Sequence, residues 1–503
     1  MEVLILDFKN AILSVFNKEG IIDLAKFLIS KNVKIFSTGG TYDILKNNNI
    51  KVFKISEYID FPEILEGRVK SLHPKIHGGI LAKNSDIDQL EKLNITKFDL
   101  VVCNLYPFFE NVNKNFDTDS LIEYIDIGGP SMIRSASKNF KYTTILTDPS
   151  DYDFFMDNFE NIDYDFRFKM AAKAFNLTSA YDASISEYFN NKSNIEFPDY
   201  FAISYKKEDD LRYGENPHQK AAFYKKNNGF YFFNDFETLN GKKLSFNNLR
   251  DVDIAWKTVS SFSDCCCVAL KHNTPCGIAI GKDTLESFNK SFECDPVSIF
   301  GGVVAFNRTI DFETAKKLKD IFLEIVIATD FEDIALDLLK KKKNLRILKV
   351  NNNNFENREF ISLNGGLIIQ NTDLILNNEL NLVTKKKNYD IDLKEIEFAF
   401  NCVKFVKSNA IVICDGFQTV GIGGGEVSRI WAAEKAFERS IRQPKIMASD
   451  AFFPFKDVVE LAYKNGVKII VQPGGSIRDQ DSIDFCNENN IDMYFTNMRH
   501  FKH

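Results

Sequence analysis

The patterns that would mount a metal or lock a secreted fold are missing from this sequence. Its nine cysteines form no CxxC pair, and three of them, Cys265, Cys266 and Cys267, sit together in the apolar run CCCVAL. That run reads as a buried strand, not as a disulfide framework or a zinc site, and it fits a reducing cytosol. There are six histidines, with no HExxH spacing to hold a zinc. No uncharged apolar stretch reaches about 18 residues, and the opening MEVLILDFKN carries acids where a signal peptide needs an apolar core. Neither membrane insertion nor secretion is expected. The net charge of −7 argues against general nucleic-acid binding while leaving room for a local basic pocket. No internal repeat of fixed period is visible.

What the chain does have is material for a large core, with 44% of its 503 residues hydrophobic and 26% charged. That length exceeds one ordinary core, so two or three domains are expected. NVKIFS, TYDILKNN and IKVFKI read as strand, helix and strand, the pattern of an α/β domain with a largely parallel sheet. A buried strand is expected over 99–103, ending in Asn104, Tyr106 and Pro107. DIGGPSMIRSASKN follows, with Pro130 as the expected first helical residue. A helix over 168–189 gives way to the polar stretch NNKSNIEFPDYFAISYKKEDDL, where a domain boundary near residue 200 is expected. The second half alternates apolar strands (CCCVALKH, FGGVVAF, LRILKV, GGLIIQ, AIVICD, VKIIVQP) with helical stretches, so it too is α/β.

The chemistry concentrates at turns. RVKSLHPKIHGG, residues 68–79, gathers two histidines, two lysines and an arginine, and an anion is the simplest guest for so much positive charge. Ser37-Thr38-Gly39-Gly40-Thr41 lies between a strand and a helix, where glycines expose backbone N–H groups and the helix N-terminus favours an anion. Asp126-Ile127-Gly128-Gly129-Pro130-Ser131 is a second such turn, and Arg134 and Lys138 share a face of the helix after it. His73 and His77 are four apart, but Pro74 interrupts them, which favours a turn-stabilising role over metal ligation. These segments converge only if their strands are neighbours.

STGGT, GRVKSLHPKIHGGIL, CNLYPF and DIGGPSMIRSASKN resemble the inosine-monophosphate (IMP) cyclohydrolase domain of the bifunctional purine-biosynthesis enzymes. LRYGENPHQ, LKHNTPCG, SIFGG, SNAIVI, GIGGGEVSRI, SDAFFPF and TNMRHFKH resemble the family's aminoimidazole-carboxamide ribonucleotide (AICAR) formyltransferase domain. Together these strings cover nearly the whole chain in the family's order. The resemblance implies a methylglyoxal-synthase-like domain over 1–199 and a formyltransferase domain with cytidine-deaminase-like α/β units over 200–503. It implies formyl transfer from formyl-tetrahydrofolate to AICAR, then dehydrative ring closure to IMP, with no metal. It also implies a cytoplasmic homodimer whose formyltransferase sites lie at the subunit interface, Arg429 reaching across it, and no nucleic-acid or membrane partner.

Residue by residue, the resemblance puts Lys70, Tyr106, Asp126 and Lys138 around ring closure. Asp126 would hold or accept from the attacking nitrogen, and the others would serve the formyl oxygen and proton traffic. Ser14, Lys18, Ser37, Thr38, Gly39, Gly40, Thr41, Arg68, Ser71, Asn104, Gly128 and Gly129 would grip the nucleotide. One departure stands out: the family usually reads SVSDK where this chain has Ser14-Val15-Phe16-Asn17-Lys18, and Phe16 cannot replace a hydroxyl donor. For formyl transfer His272 becomes the proposed base and Lys271 the cation or acid at the formyl oxygen or departing folate nitrogen. Asn409 would hold the carboxamide or transition state, and Arg212, Tyr213, Arg429 and Arg499 would bind the nucleotide. Phe452 and Asp457 are the folate-side candidates, with a core role for Phe452 and Phe453 equally open. Gly423 to Gly425 would allow close backbone approach or form a plain turn. Two rivals were weighed against this reading. A zinc deaminase shares the Pro275-Cys276 fragment but needs HxE and PCxxC, which are absent. A non-catalytic nucleotide sensor need not keep Lys271, His272, Asp126 and Lys138 together.

Overall fold

The computed structural model describes residues 7–65, 68–69, 71–112, 114, 116–227, 229, 231–376 and 379–503. Lys70, a ring-closure candidate, lies outside the described residues. The chain divides into two compact units, residues 1–206 with 226–229, and residues 207–225 with 230–503.

The first unit is built on a five-stranded parallel sheet: β1 (Asn10–Ser14), β2 (Lys34–Ser37), β3 (Val52–Lys54), β4 (Leu100–Cys103) and β5 (Thr144–Leu146), in the order β3-β2-β1-β4-β5. These strands are short, nearly continuous apolar runs because helices cover both faces and leave no solvated side to alternate with. Leu24, Leu28, Leu45 and Phe155 fill one face, and Ile76, Ile80, Ile133 and Ala136 fill the other. The chain steps outward from β1 to β2 and β3, then returns to place β4 on the opposite side of β1. That reversal opens a crevice at the carboxyl ends of β1 and β4. The helix after DIGG spans Gly128–Lys138, so Pro130 is its third residue instead of its first, still within the turn that needs no N–H partner. The expected 168–189 helix runs from Tyr164 to Lys192, its start set by Asp163, whose carboxylate accepts the Phe166 N–H.

The second unit holds two six-stranded mixed sheets. The first runs Thr274–Ile280, Cys266–Lys271, Gly302–Phe306, Leu323–Ala328, Arg346–Val350, Phe236–Asn240; the second runs Thr419–Gly423, Ile411–Cys414, Ile446–Ser449, Ile469–Gln472, Asp492–Phe495, Asn381–Leu382. Read in these orders, both pair antiparallel, antiparallel, parallel, parallel, antiparallel. The unit is therefore a structural duplication that no fixed sequence period announces. The two copies meet at their hairpins, where Thr419 Oγ1 accepts the Ile278 N–H at 2.9 Å, and a core including Val268, Leu270, Val412 and Cys414 runs through both. The expected strand GGLIIQ forms (Gly366–Asn371), yet it pairs only with Arg358–Leu363 in an exposed two-stranded ribbon.

Candidate functional site

Because β1 pairs with both β2 and β4, the turns that follow these three strands face one another. They enclose a cavity of about 650 Å³ lined by Ser14, Phe16, Lys18, Thr38, Gly40, Thr41, Arg68, Ser71, Asn104, Tyr106, Asp126, Gly128 and Gly129, among others. On the β2 side, Lys18 Nζ lies 3.1 Å from Thr41 Oγ1 and also reaches the Val15 carbonyl. Ser14 and Thr38 hydroxyls stand 3.4 Å apart. The helix Gly39–Asn47 begins here without a side-chain cap, so its N-terminal N–H groups point at the space an anion would fill. Ser37 turns away instead: its hydroxyl donates to the Leu13 carbonyl at 2.6 Å and ties β2 to β1. Gly39, at φ 47°, supplies the left-handed step into the helix without lining the cavity.

On the β4 side, Asn104 Oδ1 accepts the N–H groups of Phe16 and Asn17 at 2.6 and 3.0 Å, fixing the loop after β1. Asp126 Oδ1 accepts the Gly129 N–H at 2.8 Å. A Cβ at Gly129 would come within 2.5 Å of Asp126 Oδ2, so a side chain there would displace the carboxylate. Arg68 pairs with Glu123, which also lines the cavity. Tyr181 is a residue that the motifs missed: its hydroxyl accepts the Asp126 N–H at 2.9 Å and donates to the Tyr124 carbonyl at 2.7 Å. It sits mid-helix, with no local signal to mark it. His73 caps the helix Pro74–Leu81 by accepting the Lys75 N–H, and His77 Nδ1 meets Ser135 Oγ at 3.0 Å.

Lys138 is not brought to this cavity. It ends the helix that Gly128 begins, ten residues or about 15 Å further along at 1.5 Å per residue, and is exposed there.

In the second unit, His272 and Asn273 form the tight turn between Cys266–Lys271 and Thr274–Ile280. Both have positive φ, 52° and 59°, the geometry that matches the twist of paired strands. Asp251 Oδ1 accepts the Asn273 N–H at 2.7 Å and holds the turn. Burial raises the Asp251 carboxyl pKa, against the lowering effects of that N–H and of the neighbouring His272. His272 is exposed, and Lys271 Nζ donates to the Phe300 carbonyl at 2.7 Å. A cavity of about 360 Å³ beside them is lined by Thr274, Pro275, Cys276, Asp295, Gly424 and Arg439, among others. Burial pushes the Cys276 thiol up to about 12, which disfavours the thiolate a metal would need. Among the described residues no group of three His, Cys, Asp or Glu is placed to hold a metal ion.

Apart from Gly424, the remaining second-unit candidates do not line that cavity. Arg429 is only 7% exposed, and its guanidinium bonds Ser449 Oγ at 2.9 Å, Asn409 Oδ1 at 2.8 Å and the buried Asp450. Its guanidinium faces into this unit. Asn409 Nδ2 donates to the Glu426 carbonyl at 2.9 Å. Asp450, inside the SDAFFPF motif, was the acid to look for. Arg212 lies over the Tyr213 ring and Arg499 over Phe501, both arginines exposed. The paired phenylalanines separate: Phe453 is core, whereas Phe452 is 38% exposed. Asp457 opens the helix Asp457–Lys464 at the surface. Close approach at Gly423 and Gly424 is to this chain itself, since a Cβ there would strike the Ala432 carbonyl and Val406.

A parallel-sheet unit with a polar cavity at its switch point, in one chain with a duplicated α/β unit that presents a Lys-His turn, is an α/β protein with a candidate site in each unit. Residues 20–131 match the family described as MGS-like domain, and residues 136–439 match the AICARFT/IMPCHase bienzyme family. The bifunctional purine biosynthesis protein PurH of Fusobacterium nucleatum is 52% identical over 98% of this chain and 100% of its own length. The proteins of that name from Clostridium acetobutylicum and Clostridium perfringens are 52% and 50% identical over the same shares. The chain belongs to the AICARFT/IMPCHase bienzyme family. Its two activities, AICAR formyltransferase and IMP cyclohydrolase, are the final steps of IMP synthesis, and the first requires a formyl donor. Among the described residues no helix is long and apolar enough to cross a membrane.

Proposed function

We propose that ring closure occurs in the first unit's cavity, within residues 1–199, and formyl transfer at the Lys271–His272 turn, within residues 200–503, with formyl-tetrahydrofolate as the donor. The observation that carries this is the convergence of Lys18, Thr41, Asn104, Tyr106 and Asp126 on one cavity at the carboxyl ends of β1, β2 and β4. In ring closure the carboxamide nitrogen attacks the formyl carbon. One C–N bond forms, one C–O bond breaks, and the oxygen leaves as water with one proton from the carboxamide and one from the formamide nitrogen. Ser14, Lys18, Thr38, Gly40, Thr41 and the helix N-terminus at Gly39 hold the phosphate; Arg68, Ser71, Asn104, Gly128 and Gly129 shape the remaining contacts. Asp126, held by Gly129 and Tyr181, takes the carboxamide proton, and the Tyr106 hydroxyl stabilises the oxyanion. A carboxamide is a weak nucleophile, so positioning and charge stabilisation supply most of the acceleration.

In formyl transfer the AICAR amine attacks the formyl carbon, the bond to the folate nitrogen breaks, and the proton lost by the amine ends on that nitrogen. His272 carries the proton and the Lys271 ammonium serves the formyl oxygen. Asn409, Arg212, Tyr213, Arg499, Phe452 and Asp457 do not line the Lys271–His272 cavity, which supports a site completed by a second copy of the chain. The protein accordingly works as a homodimer, in the cytoplasm, where its nine free cysteines stay reduced. The test supplies AICAR and formyl-tetrahydrofolate to the purified protein and follows IMP. His272→Ala should lower formyl transfer by about two to four powers of ten and spare closure of supplied formylated intermediate; Asp126→Ala should do the reverse. Loss of both half-reactions from either change in a folded protein would overturn the two-site assignment.

A further inference from the structure

The ring-closure cavity is polarised. Its β2 side gathers Lys18, the Ser14, Thr38 and Thr41 hydroxyls and a helix N-terminus, while its β4 side carries two aromatic rings, Phe16 and Tyr106, whose centroids lie 5.5 Å apart at 90°. Phe16 is 46% exposed, and unlike an exposed ring on open surface it lines a cavity, where a flat ligand would cover it. Its backbone is not free to carry it elsewhere. Asn104 clamps the N–H groups of Phe16 and Asn17 and donates to the Asn17 carbonyl at 3.2 Å. Tyr106 and Phe16 pack edge to face, and both line the cavity.

We infer that Phe16 is a ligand-binding and specificity residue of the ring-closure site, stacking on the imidazole of the substrate and the purine of the product. Phosphate recognition stays with Lys18, Thr41 and the Gly39–Asn47 helix, so the two ends of the ligand are read by separate groups. The inference rests on the reading that this cavity closes the ring.

Competitive inhibition of ring closure tests it, because that assay reports on this cavity and not on nucleotide bound in the second unit. Supplied formylated intermediate is the substrate, and IMP and ribose 5-phosphate are the inhibitors. Phe16→Ser should weaken IMP inhibition about tenfold, the scale of one lost base–aromatic stack, and leave ribose 5-phosphate inhibition within twofold. Phe16→Tyr should restore the IMP value, and unchanged formyl transfer reports that the variants are folded. Equal weakening of both inhibitors would mean that Phe16 only shapes the phosphate loop, and no change in either would mean that it touches nothing; both overturn the inference. A Phe16→Tyr protein that behaves like Phe16→Ser overturns it too. If the wild type does not close the supplied intermediate, the cavity assignment itself fails and the inference falls with it.

Discussion

Arg429→Ala should act first on stability. Asp450 is fully buried and Arg429 nearly so, and removing the guanidinium leaves that carboxylate with the Ser408 hydroxyl, which donates to its Oδ2 at 2.5 Å. Taking one partner from a buried ion pair costs about 3–5 kcal/mol, because the survivor keeps its desolvation penalty and loses its compensation. Bonds from the guanidinium to Ser449 and Asn409 go as well. The chain's two tryptophans, Trp256 and Trp431, both belong to the second unit, so tryptophan fluorescence in urea reads the unfolding of that unit alone. The Arg429→Ala midpoint should fall by the equivalent of about 3–5 kcal/mol, with closure of supplied intermediate unchanged. Adding Asp450→Asn should recover part of the loss by removing the stranded charge. Arg499→Ala, at an exposed position, should stay within about 0.5 kcal/mol. An Arg429→Ala protein that unfolds with the wild type and loses only nucleotide affinity would refute the inward ion pair.

Lys138→Ala should leave ring closure within a few-fold of wild type, since Lys138 stands at the far end of its helix; a loss as deep as that of Asp126→Ala would place it in the reaction after all. A mixture of His272→Ala and Asn409→Ala chains should regain part of the formyl transfer that each lacks alone, if one site draws on two copies, whereas strictly additive inactivity would confine the site to one chain. Burial alone would raise the Asp373 carboxyl pKa, but the His500 hydrogen bond at 2.6 Å and the charges of His500 and Lys404 outweigh it and hold the group below the ordinary 3.8. A depressed folded value means stability present above about pH 4 and lost as pH falls through the folded value. Asp373→Asn should therefore be less stable than wild type at pH 7 and show a shallower acid loss below pH 4, which urea titrations across pH would measure.

The parts of the fold set by local pattern were legible in the sequence. KIFS, LVVC and IVIC are strands because short apolar runs between turn residues suit sheets covered on both faces, and the β2-to-helix glycine turn carries its own signature. Nonlocal pairing was not legible. Nothing in NAILS says that it lies between β2 and β4, yet that neighbourhood is what gathers Lys18, Asn104 and Asp126. The duplication in the second unit was hidden for a related reason: CCVALK and IVIC answer to the same buried environment without resembling each other residue by residue. The Arg429–Asp450 pair was not legible either, because a motif shows which residue is present and not which way it points, and the partner lies 21 positions on. The separation of Lys138 from Gly128 follows from helix arithmetic alone.

The duplication also accounts for where the chemistry sits. Each copy has a hairpin whose second strand is followed by a helix, and each hairpin turn stands at the seam between the copies. In the second copy that turn is committed to structure: Asp415 pairs with Arg442 and Lys445, and Gln418 Nε2 donates to the Lys290 carbonyl and to Glu293 of the first copy at 2.9 Å each. In the first copy the turn is only two residues, His272 and Asn273, anchored from below by Asp251 with the imidazole exposed. A two-residue turn between paired strands is among the stiffest ways to hold a side chain out of a sheet, because both dihedral pairs are set by strand register. One copy thus uses its hairpin to hold the unit together, and the other presents the His272 imidazole, the proposed base, beside a cavity. If His272 is the base, the candidates that do not line its cavity have to reach it from a second chain, which the mixed His272→Ala and Asn409→Ala test would read.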